Sequence, residues 1–442
     1  MNTKQLVEET FLAPFAKPGR EYVGVELEFP LLNLAKAPVD KQVACGLMTH
    51  LLEHGFQTSE RDMDGNPAFL VNQDGDELSF DNSYNNFEFA MAKGKNLSYI
   101  ANRFYRLYAL VQNFLLPQGH TLCGMGTNPY QPSIERAQVR YPIYLAIGKF
   151  LEQYRGGRYH EFPDFPAYLS SVQTHLDVPL DKLPRALTLF ARMDFVRALL
   201  FSNSLPFPEI KGMEKTICFR DYLWEKSGFG SLLGNVGKVE GIFRTAEDIM
   251  AAIMKKSVFL WEDHGAYELI PPVSLEAYFS SGANPEDIRN YLSFQNVEVT
   301  QRGTLEIRSD CTQPVQSAFA PPAFHLGVFH KLEEAEAKME IYFQNQIPDE
   351  LASRPDCNAV LRNSVIYEGK VPGGNEAAAR LLKELVELAE DGLRERGRGE
   401  EEYLAPLAER AEMLTCPAKE TRRRLQEGEA LESIIHTYSS WN

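Results

Sequence analysis

The chain has 442 residues and is acidic, with 45 Lys and Arg against 61 Asp and Glu and a formal net charge of −16. That balance argues against a general nucleic-acid surface or an anionic-membrane surface. It leaves phosphate substrates open, because divalent cations bridge carboxylates to phosphate.

A hydrophobic content of 44% is ordinary for a globular chain, and the length suffices for one large or two average domains. No apolar run approaches the ~20 residues that a bilayer span needs. The opening stretch MNTKQLVEETFLAPFAKPGREY carries charges where a secretory leader would need an apolar core. The six cysteines (Cys45, Cys123, Cys218, Cys311, Cys357, Cys416) are far apart and form no C-x-x-C pair. A disulfide framework or zinc site is therefore not expected, and a reduced cytoplasmic setting is. The spacing leaves one regulatory disulfide open.

YVGVELEFP, residues 22–30, alternates Glu26 and Glu28 with Val25, Leu27 and Phe29, the period of a strand. Residues 40–56 read as a helix with Val43, Leu47, Leu51 and Leu52 inward and Gly55 as its stop. Residues 67–92 read as strand, D-G turn, strand and strand, and residues 95–116 as a long amphipathic helix. SSVQTHLDVP reads as a strand, with helices near 181–203 after it. VTQRGTLEIRSDCTQP gives another strand, after a turn at Gly303. From Asn375 the pattern is helical, with Leu381, Leu382, Leu385, Leu388 and Ala389 on one stripe; Gly397 and Gly399 break it, and Pro406 opens the next helix. The expected division is a catalytic body over 1–345 and a helical region over 346–442 packed on it.

Glutamates inside apolar strands need a reason. An edge strand with a solvated face would supply one for a lone E-x-E. The pattern recurs, however. Glu88 lies between Phe87 and Phe89; Thr304, Glu306 and Arg308 share a face; and Gln173, His175 and Asp177 share another. If these strands join one sheet, Glu26, Glu28, Glu88 and Glu306 converge on its open face. Such a cluster is costly unless cations hold it, and hard oxygen ligands without cysteine point to Mg²⁺ or Mn²⁺ with a nucleotide. GFGSLLGNVGKVEG, Gly228–Gly241, lacks the spacing and Ser/Thr of a phosphate loop; it reads as an ordinary surface loop or a lid.

These segments resemble the glutamate–cysteine ligase family, in its plant and proteobacterial branch, within the glutamine synthetase-like superfamily. GVELEF is similar to that family's G-x-E-x-E strand, RYPIYL to its R-Y-x-x-M segment, SVQTHLD to its Q-V-N-L-D strand and TLEIRSDCTQP to its E-F-R strand. The tail around YLAPL resembles the family's helical end. The resemblance implies an α+β fold with a cup-shaped, mainly antiparallel sheet carrying an acidic face, flanked by helices. It also implies ATP with two or three Mg²⁺ ions and an acyl-phosphate route joining the γ-carboxylate of glutamate to an amine, first of all cysteine.

Glu26, Glu28, Glu88 and Glu306 match metal-binding strands, and Arg308 would be the catalytic cation. Gln173 falls on the nucleotide side, and Arg140 is a candidate for a substrate carboxylate or phosphate. His175 replaces the family's asparagine near the acceptor pocket, as a substrate contact or a buried core histidine. Cys311 reads as a small buried hydrophobe. Partners would be small molecules, with no nucleic acid or membrane, in a monomer or homodimer. Two alternatives remain: a ligase for another amine, and a non-catalytic nucleotide or amino-acid binder.

Overall fold

The computed structural model describes residues 2–17, 19, 21–134, 136–207, 209–263 and 265–440. Among them, nine strands form one open sheet. Its order is Val297–Val299, Leu305–Cys311, Ser171–Leu176, Val23–Asn33, Asn86–Gly94, Glu77–Phe80, Pro67–Val71 and Gln57–Arg61. His120–Leu122 pairs the far end of Val23–Asn33. Every pairing in this sheet is antiparallel. The fold is α+β with a mainly antiparallel sheet, as the family resemblance implies.

Alternation decides which face is buried. Leu27, Phe29, Phe87 and Phe89 all point to one side and are fully buried. They meet the helix Leu97–Leu115, where Asn96 accepts a hydrogen bond from the Tyr99 amide at 3.1 Å and so caps the first turn. Ile100, Phe104, Tyr108, Val111 and Leu115 form its inner stripe. Phe89 meets Phe104 at 5.1 Å, and Phe29 meets Tyr108 at 5.4 Å. Each such ring contributes about 1.5–3 kcal/mol through burial. The opposite face, the inside of the cup, keeps the glutamates.

Two inward stripes differ in detail from the sequence reading. In Lys41–Glu53, Ala44 and Met48 join Val43, Leu47 and Leu51 inside, while Leu52 is half-buried. In Asn375–Arg396, Val386 and Leu393 are buried and Leu388 is not fully so. The helices expected near 181–203 are Leu183–Arg192 and Asp194–Phe201, divided at Met193.

The helical end is anchored at several points. Asn375–Arg396 crosses Ala320–His330 where a Cβ on Gly327 would lie 2.2 Å from the Ala389 carbonyl and one on Gly392 would lie 2.4 Å from the Gly327 carbonyl. Only glycine allows that approach. Arg362, fully buried on Cys357–Glu368, donates to Asp221 at 2.6 Å and to Asp194 at 3.0 Å. Arg410 donates to Gln313 at 2.8 Å and to the Leu200 carbonyl at 3.1 Å. The helix Leu332–Gln346 runs through residue 345 without a break.

A second hydrophobic cluster stands over the open face. Phe150, Phe165, Tyr168, Phe219, Phe229 and Phe259 are its buried rings. The Gly228–Gly241 segment belongs to it: Phe229 and Leu233 are buried, and Val236–Gly237 pairs in parallel with Phe294–Gln295. No described helix is long and apolar enough to cross a membrane.

Candidate active site

Strand register sets the acidic side chains in rows. Glu28 lies directly opposite Glu88, and Ser79 opposite Glu88 on the next strand. Glu26 pairs with Gln173, Gly24 with His175, His175 with Glu306, and Glu306 with Glu298. Gly24 makes room for the imidazole, since a Cβ there would lie 3.2 Å from the Cβ of His175.

Polar contacts lock the row in place. His175 Nε2 is 3.1 Å from Glu26 Oε1, and its Nδ1 is 3.1 Å from the Thr304 hydroxyl. Arg302 stands 3.6 Å from Glu26 and 3.9 Å from Glu306. Burial works against the charge of Glu26, yet the His175 hydrogen bond and the nearby arginines hold its carboxyl at about 2. Glu28 accepts from the Ser171 amide and from the Gln173 side chain, both at 2.8 Å. Burial nonetheless pushes Glu28 up, against the pull of Arg220. Glu88 is raised well above the usual range by burial and then by Glu26, Asp81 and Glu28. Asp81, half-buried, is pushed up to about 7 by lost hydration and then by Glu28. Carboxylates that repel in this way are what a bound cation relieves.

The donor set fits a hard divalent cation. One ligand atom each from Glu26, His175 and Glu306 lies within 4.8 Å of the others. Carboxylates with a single imidazole suit Mg²⁺ or Mn²⁺ better than a thiophilic metal. Glu28 and Glu88, opposed across their strands, offer a second set of oxygens.

Arg308 is the cation built into this face. Its Nη1 is 3.3 Å from Glu306 and 3.9 Å from Glu298, and it donates to the Ser293 carbonyl at 3.2 Å. The Phe294 ring lies 5.4 Å from its guanidinium. Two cavities meet at Glu26 and Arg302. One, of about 320 Å³, holds Glu28, Glu88, Asp81, Gln173, Arg220 and Arg308 together with apolar side chains of the second cluster. The other, of about 410 Å³, is lined by Lys17, Tyr22, Lys93, His175 and Thr304.

The structure brings Glu26, Glu28, Glu88, Glu306, Gln173, His175 and Arg308 together. It does not bring Arg140: that side chain is more than half exposed, pairs with Asp64 at 2.6 Å and lines neither cavity. The R-Y-P-I-Y-L stretch reaches the site instead through Ile143 and Tyr144, because the helix Pro142–Gln153 begins only after Arg140. Gln173 acts on Glu28 rather than standing free. His175 faces the metal-type cluster.

Sequence reasoning missed Asp81, Glu298, Arg302 and Arg220. The first two carried a signal: Asp81 continues the face of Glu77 and Ser79, and Glu298 sits between Val297 and Val299. Arg302 lies in the turn before a strand and Arg220 in the first turn of Phe219–Glu225, where no pattern marks them. Lys238, from the glycine-rich stretch, is buried between Asp221 and Glu225. Cys311 is buried, with its Sγ 3.7 Å from that of Cys218.

No protein-family model and no curated protein sequence matches the chain. Solved structures do. The bifunctional glutathione synthetase from Pasteurella multocida superposes with a TM-score of 0.55 at 13% identity, over 99% of this chain and 54% of that one. The glutamate–cysteine ligase from Francisella tularensis, solved in complex with AMP, gives 0.53 at 11% identity, over 95% of this chain and 89% of that one. The chain thus spans about half the length of the first and nearly all of the second. At these identities the likeness is one of fold.

Proposed function

We propose that the chain is an ATP- and Mg²⁺-dependent carboxylate–amine ligase that activates the γ-carboxylate of glutamate as an acyl phosphate and passes it to an amine. The observation that carries this reading is the convergence of Glu26, Glu28, Glu88, His175 and Glu306 on one face beside Arg308. The fold shared with two ligases, one of them holding AMP, supports it.

Glu26, His175 and Glu306 would hold one cation and Glu28 with Glu88 another; Mn²⁺ could replace Mg²⁺, and a third ion could join the phosphates. When bound, these ions offset the repulsion between ATP and the carboxylate. The cavity with Lys17 and Lys93 suits the nucleotide, and the one with Arg220 and Arg308 suits glutamate and the amine; on this reading, unlike the sequence expectation, Gln173 falls on the glutamate side and His175 on the nucleotide side. A carboxylate oxygen attacks the γ-phosphorus and ADP leaves. Arg308, fixed by Glu306 and Glu298, meets the charge that develops on the transferring group. The amine then attacks the acyl carbon and phosphate departs.

Asp81, which lines this cavity, would take the proton that the ammonium must lose. No side-chain nucleophile is required. The sequence resemblance names cysteine as the acceptor. Trapping tests the reading: with ATP, Mg²⁺ and glutamate, hydroxylamine should yield a glutamyl hydroxamate and ADP in equal amounts. No hydroxamate, or hydroxamate without glutamate, would refute it.

A further inference from the structure

The apolar part of the 320 Å³ cavity has no role in holding glutamate or phosphate, both of which need charged partners. Its side chains are Ile143, Ile147, Leu169, Trp224, Leu292 and Phe294. Ile143, Trp224, Leu292 and Phe294 are only partly buried although they pack on the second hydrophobic cluster, so each keeps apolar surface for the cavity. The wall is braced. Trp224 stacks on Phe294 at 4.7 Å with planes 23° apart and meets Phe165 edge-on at 4.8 Å. Phe294 in turn lies against Arg308, so the wall reaches the reacting centre. Asp81 and Tyr144 line the same cavity.

Resting on the ligase reading above, we infer that the acceptor is an amine with a large apolar side chain, aromatic by preference. The wall offers rings and branched aliphatics, which reward an aryl group by burial and stacking. Arg308 and Arg302 are engaged by Glu306 and Glu26 while Arg220 lines the same cavity, so the preference rests on the apolar side chain and not on the lack of a carboxylate. Cysteine, with its small side chain, fills this wall less well than an arylalkyl amine.

The test uses the purified full chain with ATP, Mg²⁺ and glutamate. Hydroxamate formation with hydroxylamine is measured first, then kcat/KM for phenethylamine, ammonium, glycine and cysteine. Phenethylamine should exceed each of the others by ~10-fold or more, within the range that a few apolar contacts can discriminate. Trp224→Ala, and separately the milder Ile143→Ala, should collapse the ratio of phenethylamine to ammonium. A kcat/KM for cysteine, glycine or ammonium equal to or above that for phenethylamine would overturn the inference and leave the ligase. Absence of hydroxamate would overturn the ligase reading and this inference with it.

Discussion

Glu28 and Glu88 face each other across two central antiparallel strands, Glu28 buried and Glu88 half-buried, both raised above the normal carboxylate range. Burial is the first cause for each, and neighbouring carboxylates add to it at Glu88. A fold that places two acids in this way, next to a third at Asp81, holds an arrangement that cations complete.

Removing one member of the neighbouring cluster should therefore weaken metal use. Glu26→Gln or Glu306→Gln deletes a charge without emptying the core, since both carboxylates line the cavity. Turnover at limiting Mg²⁺ should fall by ~100-fold or more, with a matching loss of Mn²⁺ binding measured by electron paramagnetic resonance. Near-normal turnover in both variants would remove the metal role.

Arg308 lies between Glu306 and the Phe294 ring, a planar site for a planar cation. Lysine keeps the charge but not the fork of donors or the stacking. Arg308→Lys should lower kcat by ~10- to 1000-fold while the circular dichroism spectrum stays as in the parent. Equal kcat would make the arginine a structural ion pair.

Asp81→Asn should separate proton removal from activation. An alkylamine arrives protonated at neutral pH and needs a base, whereas hydroxylamine arrives neutral. Loss with alkylamines should be about 10²–10⁴-fold, the usual worth of general base catalysis, and loss with hydroxylamine should be much smaller. Equal losses with both would deny Asp81 that role.

The buried charges at the base of the helical end set stability. Arg362 serves Asp194 and Asp221 at once, and both acids are nearly inaccessible. Arg362→Met leaves them short of a partner, which costs about 3–5 kcal/mol for a buried pair broken on one side. A lower denaturation midpoint should report it. An unchanged midpoint would contradict it, and would mean that Arg197, which pairs with Asp194, and Lys238, 3.4 Å from Asp221, suffice for the two acids.

Much of this site was legible because strands repeat every two residues. Glu26, Glu28, Glu88, Glu306 and Arg308 each interrupt an apolar alternation, and the same rule extended to Asp81 and Glu298 would have found them. Register was not legible: nothing local tells that Glu28 opposes Glu88 or that Gly24 gives His175 its space, because pairing is decided between segments far apart in sequence. Arg140 misled for the opposite reason. Its neighbours Ile143 and Tyr144 do reach the cavity, but Arg140 itself precedes the helix and turns to Asp64. The Gly228–Gly241 stretch looked like a free loop by composition, yet its Phe229, Leu233 and Lys238 are buried by contacts from distant elements.

Positional isotope exchange addresses the acyl-phosphate claim most directly. ATP carrying oxygen-18 at the β–γ bridge is incubated with the protein, Mg²⁺ and glutamate, with no amine present, and followed by phosphorus NMR. If glutamate is phosphorylated reversibly, the label should move from the bridge to the non-bridging β positions, and only when glutamate is there. Label that stays in the bridge while the same preparation releases ADP with an amine would contradict a separate acyl-phosphate step.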